Sequence, residues 1–307
     1  MSRDRNKQSK QQNEKNTQRT HTHQHIRDDF ALPVTQSDSH DSNRGMRSSR
    51  FNSIQILRLA FVTIALLALI VSMRRATVSA ADAAKPSVPV LVELFTSEGC
   101  SSCPPADALL ARLDTQPLPG VHAIVLSEHV TYWNQDGWHD PFSLDSITDR
   151  QRQYGLRFNL NDVYTPQAVV DGASQMVGSD ANKVGNAVLK AAATPKAELS
   201  ITGAQWVNGA LQFSVHGSPE PGANLVAALA EDSAQISVLH GENGGRTLRH
   251  VAVVRVLKEM GKGAGDGRLL TLKPPAVKDT GPMRLVVFEA DHKTGHVVAV
   301  AEQTIPR

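Results

Sequence analysis

The chain has only two cysteines in 307 residues. That scarcity excludes a disulfide-rich scaffold and a four-cysteine zinc site within one chain. An excess of one charge is also missing, since 32 Lys and Arg stand against 30 Asp and Glu. The balance hides a partition. Residues 1–80 carry 13 basic and 6 acidic side chains, leaving 19 and 24 for residues 81–307. The folded part is therefore mildly acidic, and without a concentrated basic face it is not expected to bind nucleic acid. No Gly-rich phosphate loop follows any apolar strand, so no organic cofactor is expected. The apolar run Leu59 to Met73 has only 15 residues. As a helix it reaches about 22 Å, short of the roughly 30 Å hydrocarbon core of a bilayer.

Residues 1–50 are rich in Gln, Asn, Ser, Arg and His and show no apolar period. Such a composition does not offset the entropy of ordering, and a disordered polar tail is expected, with His21, His23 and His25 as solvated residues. Residues 51–80 read as a signal peptide or an N-terminal membrane anchor. The short run and the small residues of Val78-Ser79-Ala80 favour cleavage. Arg74-Arg75 and the long preceding tail favour an anchor over residues 54–73. A start at Met46 would give a signal of ordinary length. Arg44, Arg47 and Arg50 keep the N-terminus inside. The rest is expected to be periplasmic or secreted, touching a membrane only through this segment.

Beyond the leader, Val88 to Phe95 is a nearly unbroken apolar run with β-branched residues, the pattern of a strand covered on both faces. Pro104 to Leu113 reads as a helix, with proline in the first turn and Leu109, Leu110 and Leu113 on one face. Val121 to Ser127 is a second buried strand. A polar-aromatic insertion, Tyr132 to Phe142, precedes a helix over 143–154. Strands over Gln167 to Val170 and Ser174 to Val177 form a hairpin around Asp171-Gly172, and the Ala-rich segment 181–193 is helical. The order β-α-β-α-β-β-α predicts an α/β thioredoxin-like domain over 86–194. From 196 to 307, about seven short alternating segments separated by Gly, Pro, Asn and Asp predict a second, mainly-β, sandwich-like domain.

The candidate chemistry lies at the first strand-to-helix junction, in Cys100-Ser101-Ser102-Cys103. At a helix N-terminus, unpaired N–H groups and the macrodipole favour an anion, so a Cys100 thiolate is expected to form below the usual thiol pKa of about 8.5. Cys103, a turn further on, is expected to be the more buried, resolving sulfur. Closing a loop of about four residues stabilises by only roughly 2 kcal/mol, which argues against a purely structural staple. In a thioredoxin-like fold a cis-proline faces the cysteines, and Thr165-Pro166 occupies that place as a substrate-binding element. Glu93 interrupts an apolar strand and is a candidate proton carrier, unless the strand turns it to an open edge. Trp133 and Trp138 are candidates for a substrate platform or for loop packing. Cys100 and Cys103 with His129 or His139 form the alternative set, that of a copper-handling accessory protein.

Leu94-Phe95-Thr96-Ser97-Glu98-Gly99-Cys100-Ser101-Ser102-Cys103-Pro104-Pro105-Ala106-Asp107 resembles the signature of a bacterial secreted family known as domain of unknown function 1223. Tyr132-Trp133, Gly137-Trp138 and Asp140-Pro141-Phe142 resemble its second motif, and Val163-Tyr164-Thr165-Pro166-Gln167 its third. Gly241-Glu242-Asn243 with Arg246-Thr247-Leu248 resembles a C-terminal motif. The similarity covers about residues 88–305 and implies export and a thioredoxin-like fold. Glu128 to Thr131 departs from it, since members carry Phe and Asp around the His-Val pair. The function expected is a thiol–disulfide oxidoreductase acting on protein thiols or disulfides with an unidentified redox partner. Its rivals are the copper-handling protein and a non-enzymatic interaction module.

Overall fold

The computed structural model describes residues 87–306, apart from 117, 219, 265–266 and 276–280, together with 58 and 61–67. It divides into two units, residues 1–75 and 76–307. Residues 61–67 of the first are helical. No helix among the described residues is long and apolar enough to cross a membrane. The expected tail, the Met46 start and the Ala80 junction lie outside the described residues.

The second unit runs β1 (Val88–Thr96), α1 (Pro104–Thr115), β2 (Val121–His129), α2 (Asp145–Arg157), β3 (Gln167–Val170), β4 (Ser174–Val177) and α3 (Ala181–Ala192). Then come β5 (Leu199–Val207), β6 (Ala210–Gly217), β7 (Ala223–Ser237), β8 (Thr247–Lys262), β9 (Arg268–Leu272), β10 (Met283–Asp291) and β11 (Val297–Ile305). The elements of the first stretch follow the expected order. The fold class does not. A thioredoxin-like α/β domain followed by a separate sandwich is overturned by the sheet itself, a mixed eight-stranded sheet in the order β11-β10-β7-β8-β2-β1-β3-β4. The fold is mostly β.

Two causes account for the difference. First, β2 does not end its sheet: Ser127 pairs in parallel with Val253 of β8, joining strands from both stretches. Second, β7 and β10 bury both faces. Val226, Ala228 and Ala230 of β7 belong to the core shared with β1, β2 and α1, while Leu225, Ala227 and Leu229 belong to the core shared with β6 and β9. Alternation with period two serves two cores from one strand. The three-stranded sheet β5-β6-β9 contributes Leu211, Phe213 and Val215 to that second core. Polar ties cross the same boundary. Arg284 of β10 donates to both carboxylate oxygens of Asp114 on α1 and to Asp232. Buried Lys196 lies 2.6 Å from Asp171 in the β3–β4 turn.

A long arm of the β7–β8 hairpin extends past this sheet. β10 pairs with β7 only as far as Glu231, and β2 meets β8 only at Val253. From Ser233 to Ser237 on one strand and Thr247 to Val251 on the other, the arm is a two-stranded ribbon. Its root is marked by Ala252, whose φ of +47° is left-handed in a fully buried alanine.

Candidate functional site

The loop from β1 to α1 is wound by its own backbone. Cys100 N–H donates to Ser97 O, and Cys103 N–H to Cys100 O. The N–H groups of Ala106 and Asp107 both donate to Cys103 O, which makes Cys103 the N-cap of α1. Pro104 and Pro105 fill first-turn positions where a helix needs no N–H donor. This winding brings the Cα atoms of Cys100 and Cys103 to 5.4 Å, and the two sulfurs form a disulfide. Cys103 was expected to be the more buried; instead both residues have no exposed surface. Ser101 and Ser102 between them are exposed. The Cys100 sulfur lies 3.4 Å from the Ser102 hydroxyl, so it is the sulfur next to the exposed rim.

Three segments close around the loop. The Thr165–Pro166 bond is cis, and Leu94, Ala106 and Pro166 crowd about Gly178, placing the proline beside the start of α1. Trp133 packs against Gly99 and donates its indole N–H to Thr165 Oγ1 at 2.7 Å. Trp138 donates to Glu98 Oε2 at 2.7 Å. The tip of the β7–β8 arm completes the cover. Asn243 Nδ2 donates to Glu98 O at 2.8 Å and Cys100 O at 2.9 Å, and Glu242 accepts from Ser101 N–H at 3.0 Å. Thr165, Pro166, Trp133 and Trp138 are thus assembled with the cysteines.

Glu93 is not. It is fully buried, but Arg150 Nε at 2.5 Å and Tyr154 OH at 2.6 Å occupy its two oxygens. Side chains alternate along a strand, and Leu94 and Thr96 point toward α1, the latter bonding Asp107 at 2.9 Å. Glu93 therefore lies on the opposite face, in an ion-pair cluster with Glu128, whose pKa is pushed well up by burial and then by the charge of Glu93.

A different carboxyl, that of Glu98, belongs to the cysteine loop itself and meets Trp138 and His250. Its side chain is buried, Oε1 has no hydrogen-bond partner, and burial, reinforced by the Asp140 charge, raises its pKa to about 7. Asp140 goes the other way. Burial pushes it up, but His129 Nδ1 at 2.7 Å and the N–H groups of Glu98 and Phe142 bring it down to about 2. Burial disfavours charged His129, yet Asp140, with Asp107 and Glu98 beyond it, leaves its pKa raised. His250 of the arm completes the cluster. It is buried, both ring nitrogens lack partners, and they lie 3.8 Å from Glu98 Oε1 and from Asp107 Oδ1.

The sign for Glu98 is definite. Between 4.5 and about 7 the folded chain holds a proton that the unfolded chain has released, so stability falls as pH rises through this window. Burial to that degree costs about 2–3 kcal/mol on the alkaline side. Urea unfolding at pH 5 and pH 8 should show a smaller alkaline loss in Glu98→Gln than in the native chain. Equal losses would remove the assignment.

The copper set is not assembled. His129 spends its nitrogens on Asp140 and on Ser127, 3.2 Å away, and His139 is exposed. Among the described residues no group of three His, Cys, Asp or Glu side chains has a metal-binding arrangement. Sequence reasoning missed Glu98, His250 and Asn243 as site residues. Glu98 was visible as an acid two places before a cysteine. Nothing local announced that Asn243, 143 positions from Cys100, would reach it.

The model of the family described as Protein of unknown function (DUF1223) matches residues 91–289. Among solved structures, protein AGR_C_4864 from Agrobacterium tumefaciens is 24% identical, with a TM-score of 0.55 over 71% of this chain and 95% of that one. That likeness concerns the fold. HBP35 of Porphyromonas gingivalis is 16% identical, with a TM-score of 0.45 over 71% of this chain and 75% of that one. No curated protein matches.

Proposed function

This chain belongs to the family described as Protein of unknown function (DUF1223), and from that premise we propose that it is a thiol–disulfide oxidoreductase working outside the cytoplasm, in the periplasm or as a secreted protein. The observation that carries the reading is the pairing of its only two cysteines across three positions at a helix N-terminus. A bridge that short stabilises little by loop closure, while a helix N-terminus favours the thiolate released on reduction. Oxidising compartments are where such a bond persists. The basic and apolar leader supports the same location.

The exchange balances as follows. A partner thiolate attacks Cys100 Sγ, the S–S bond breaks, and Cys103 leaves as a thiolate that takes up a proton. A second partner thiol, having lost its proton, attacks the mixed disulfide and releases Cys100. Cys100 leaves as the thiolate that the helix N-terminus favours, so the chain gains two electrons and one proton, the partner's other proton goes to solvent, and the partner ends as a disulfide. Thr165, Pro166 and Trp133 line the approach. Glu98, rather than Glu93, is the acid that belongs to the cysteine loop itself, and in this reading it supplies the proton, to be replenished from solvent.

Reduction of insulin by dithiothreitol tests the proposal. The native chain should accelerate precipitation of the insulin B chain, and Cys100→Ser and Cys103→Ser should each return it to the uncatalysed rate. A native chain with no acceleration would leave a non-enzymatic module.

A further inference from the structure

The disulfide and the arm above it present a contradiction that the exchange chemistry does not resolve. Thiol exchange requires in-line access to a sulfur, yet neither cysteine has any exposed surface. The β7–β8 tip supplies part of that closure. It holds its own shape: Val238 N–H donates to Arg246 O, Gly245 N–H to Val238 O and Gly244 N–H to Gly241 O. Its hydrogen bonds to the cysteine loop come from two residues, Asn243 to Glu98 O and Cys100 O and Glu242 to Ser101, and Gly241 packs beside them against Asp136 and Trp138. Arg246 aims the Asn243 amide by donating to Asn243 Oδ1 at 3.0 Å.

Three features favour lifting of this tip as a unit. The arm is a two-stranded ribbon beyond the main sheet, so no third strand holds it and it rests only on the cysteine loop and its neighbours, α1 among them. Its root carries the left-handed Ala252, a backbone conformation that costs an alanine free energy and is relieved by rotation there. Beneath the arm, both nitrogens of His250 and Oε1 of Glu98 are buried without hydrogen bonds, a desolvation cost that entry of water there relieves.

We infer that the β7–β8 tip, Val238 to Arg246, is a latch over the Cys100–Cys103 disulfide, with Asn243 as its catch, so that thiols reach Cys100 only through an opened form. This deepens the exchange reading by naming what regulates it. The probe is chemical, so the latch is tested whether or not the chain is an oxidoreductase in its own setting.

The experiment follows reduction of the intact protein by dithiothreitol under pseudo-first-order conditions, with maleimide-polyethylene glycol trapping of the freed thiols. For a gated bond the rate is the open fraction times the intrinsic rate. Loss of both amide bonds in Asn243→Ala should raise it about ten- to hundred-fold, on the ordinary worth of two hydrogen bonds. Arg246→Ala, an exposed change that leaves the tip packing alone, should raise it about two- to five-fold and serves if Asn243→Ala fails to fold. Folded variants reduced at the native rate would overturn the latch, even if insulin is still reduced. A raised rate with no insulin activity would keep the latch and remove the oxidoreductase.

Discussion

Arg150→Met should lower the stability of the chain by about 3–5 kcal/mol at pH 7, the usual penalty for stranding a buried charge. Arg150 is the cation beside two buried carboxyls: its Nε sits 2.5 Å from Glu93 Oε1 and 3.9 Å from Glu128 Oε2. It also donates to Tyr154 OH at 2.9 Å and lies over the rings of Tyr154 and Phe288. Burial works against its charge, but Glu93, Tyr154 and Glu128 outweigh that, and its pKa is raised. Methionine keeps the stem and the ring contacts while removing the guanidinium. Adding Glu93→Gln should recover more than half of it, since both charges are then gone. Urea unfolding of the three proteins at pH 7 measures each quantity. A single variant within 1 kcal/mol of native would show the cluster to be incidental.

A backbone contact should matter as much. Gly172 has a φ of +60°, and a Cβ added there would stand 1.9 Å from the carbonyl oxygen of Gly295. No side chain yields at that distance; two main-chain segments must separate. Those segments bind one another closely. Asp171 accepts from Leu91 N–H through its carboxylate at 2.8 Å and from Val297 N–H through its carbonyl at 2.9 Å. Lys196 completes the junction. Gly172→Ala should therefore cost more than about 3 kcal/mol, combining overpacking with a left-handed alanine. The control is Gly185→Ala in α3, where an added Cβ meets nothing within 4 Å. There helix propensity should give a gain of up to about 1 kcal/mol. Thermal unfolding of both variants decides the matter, and a mild Gly172→Ala would sink the claim of a rigid junction.

How far the sequence led can be judged at particular residues. Helices α1 and α3 were legible because proline, leucine spacing and alanine content are local signals. Between 199 and 305 seven strands occur where about seven short ones were expected, but β7 and β8 run to 15 and 16 residues, and the arm they form was not foreseen. The cysteine loop, Thr165-Pro166 and the tryptophans came together for the same reason: each sits at an element boundary that the chain itself marks. The partition of the fold was misread, because an apolar strand such as β7 does not say whether its second face meets a helix or another sheet. Leu225 and Val226 look alike in sequence, yet they enter different cores. Glu93 was correctly found to be out of place among apolar neighbours. Its partner lies 57 residues away, and only the fold could show that an arginine, and not a thiol, explains it.

The single parallel bridge from Ser127 to Val253 also bears on how the chain is made. Until the ribosome has released residues near 253, one border of β2 has no neighbour, and the nascent product carries an open sheet edge of the kind that recruits other chains. Truncation after α3 would freeze that state and give a sticky fragment. Sheet completion must wait for the C-terminal strands.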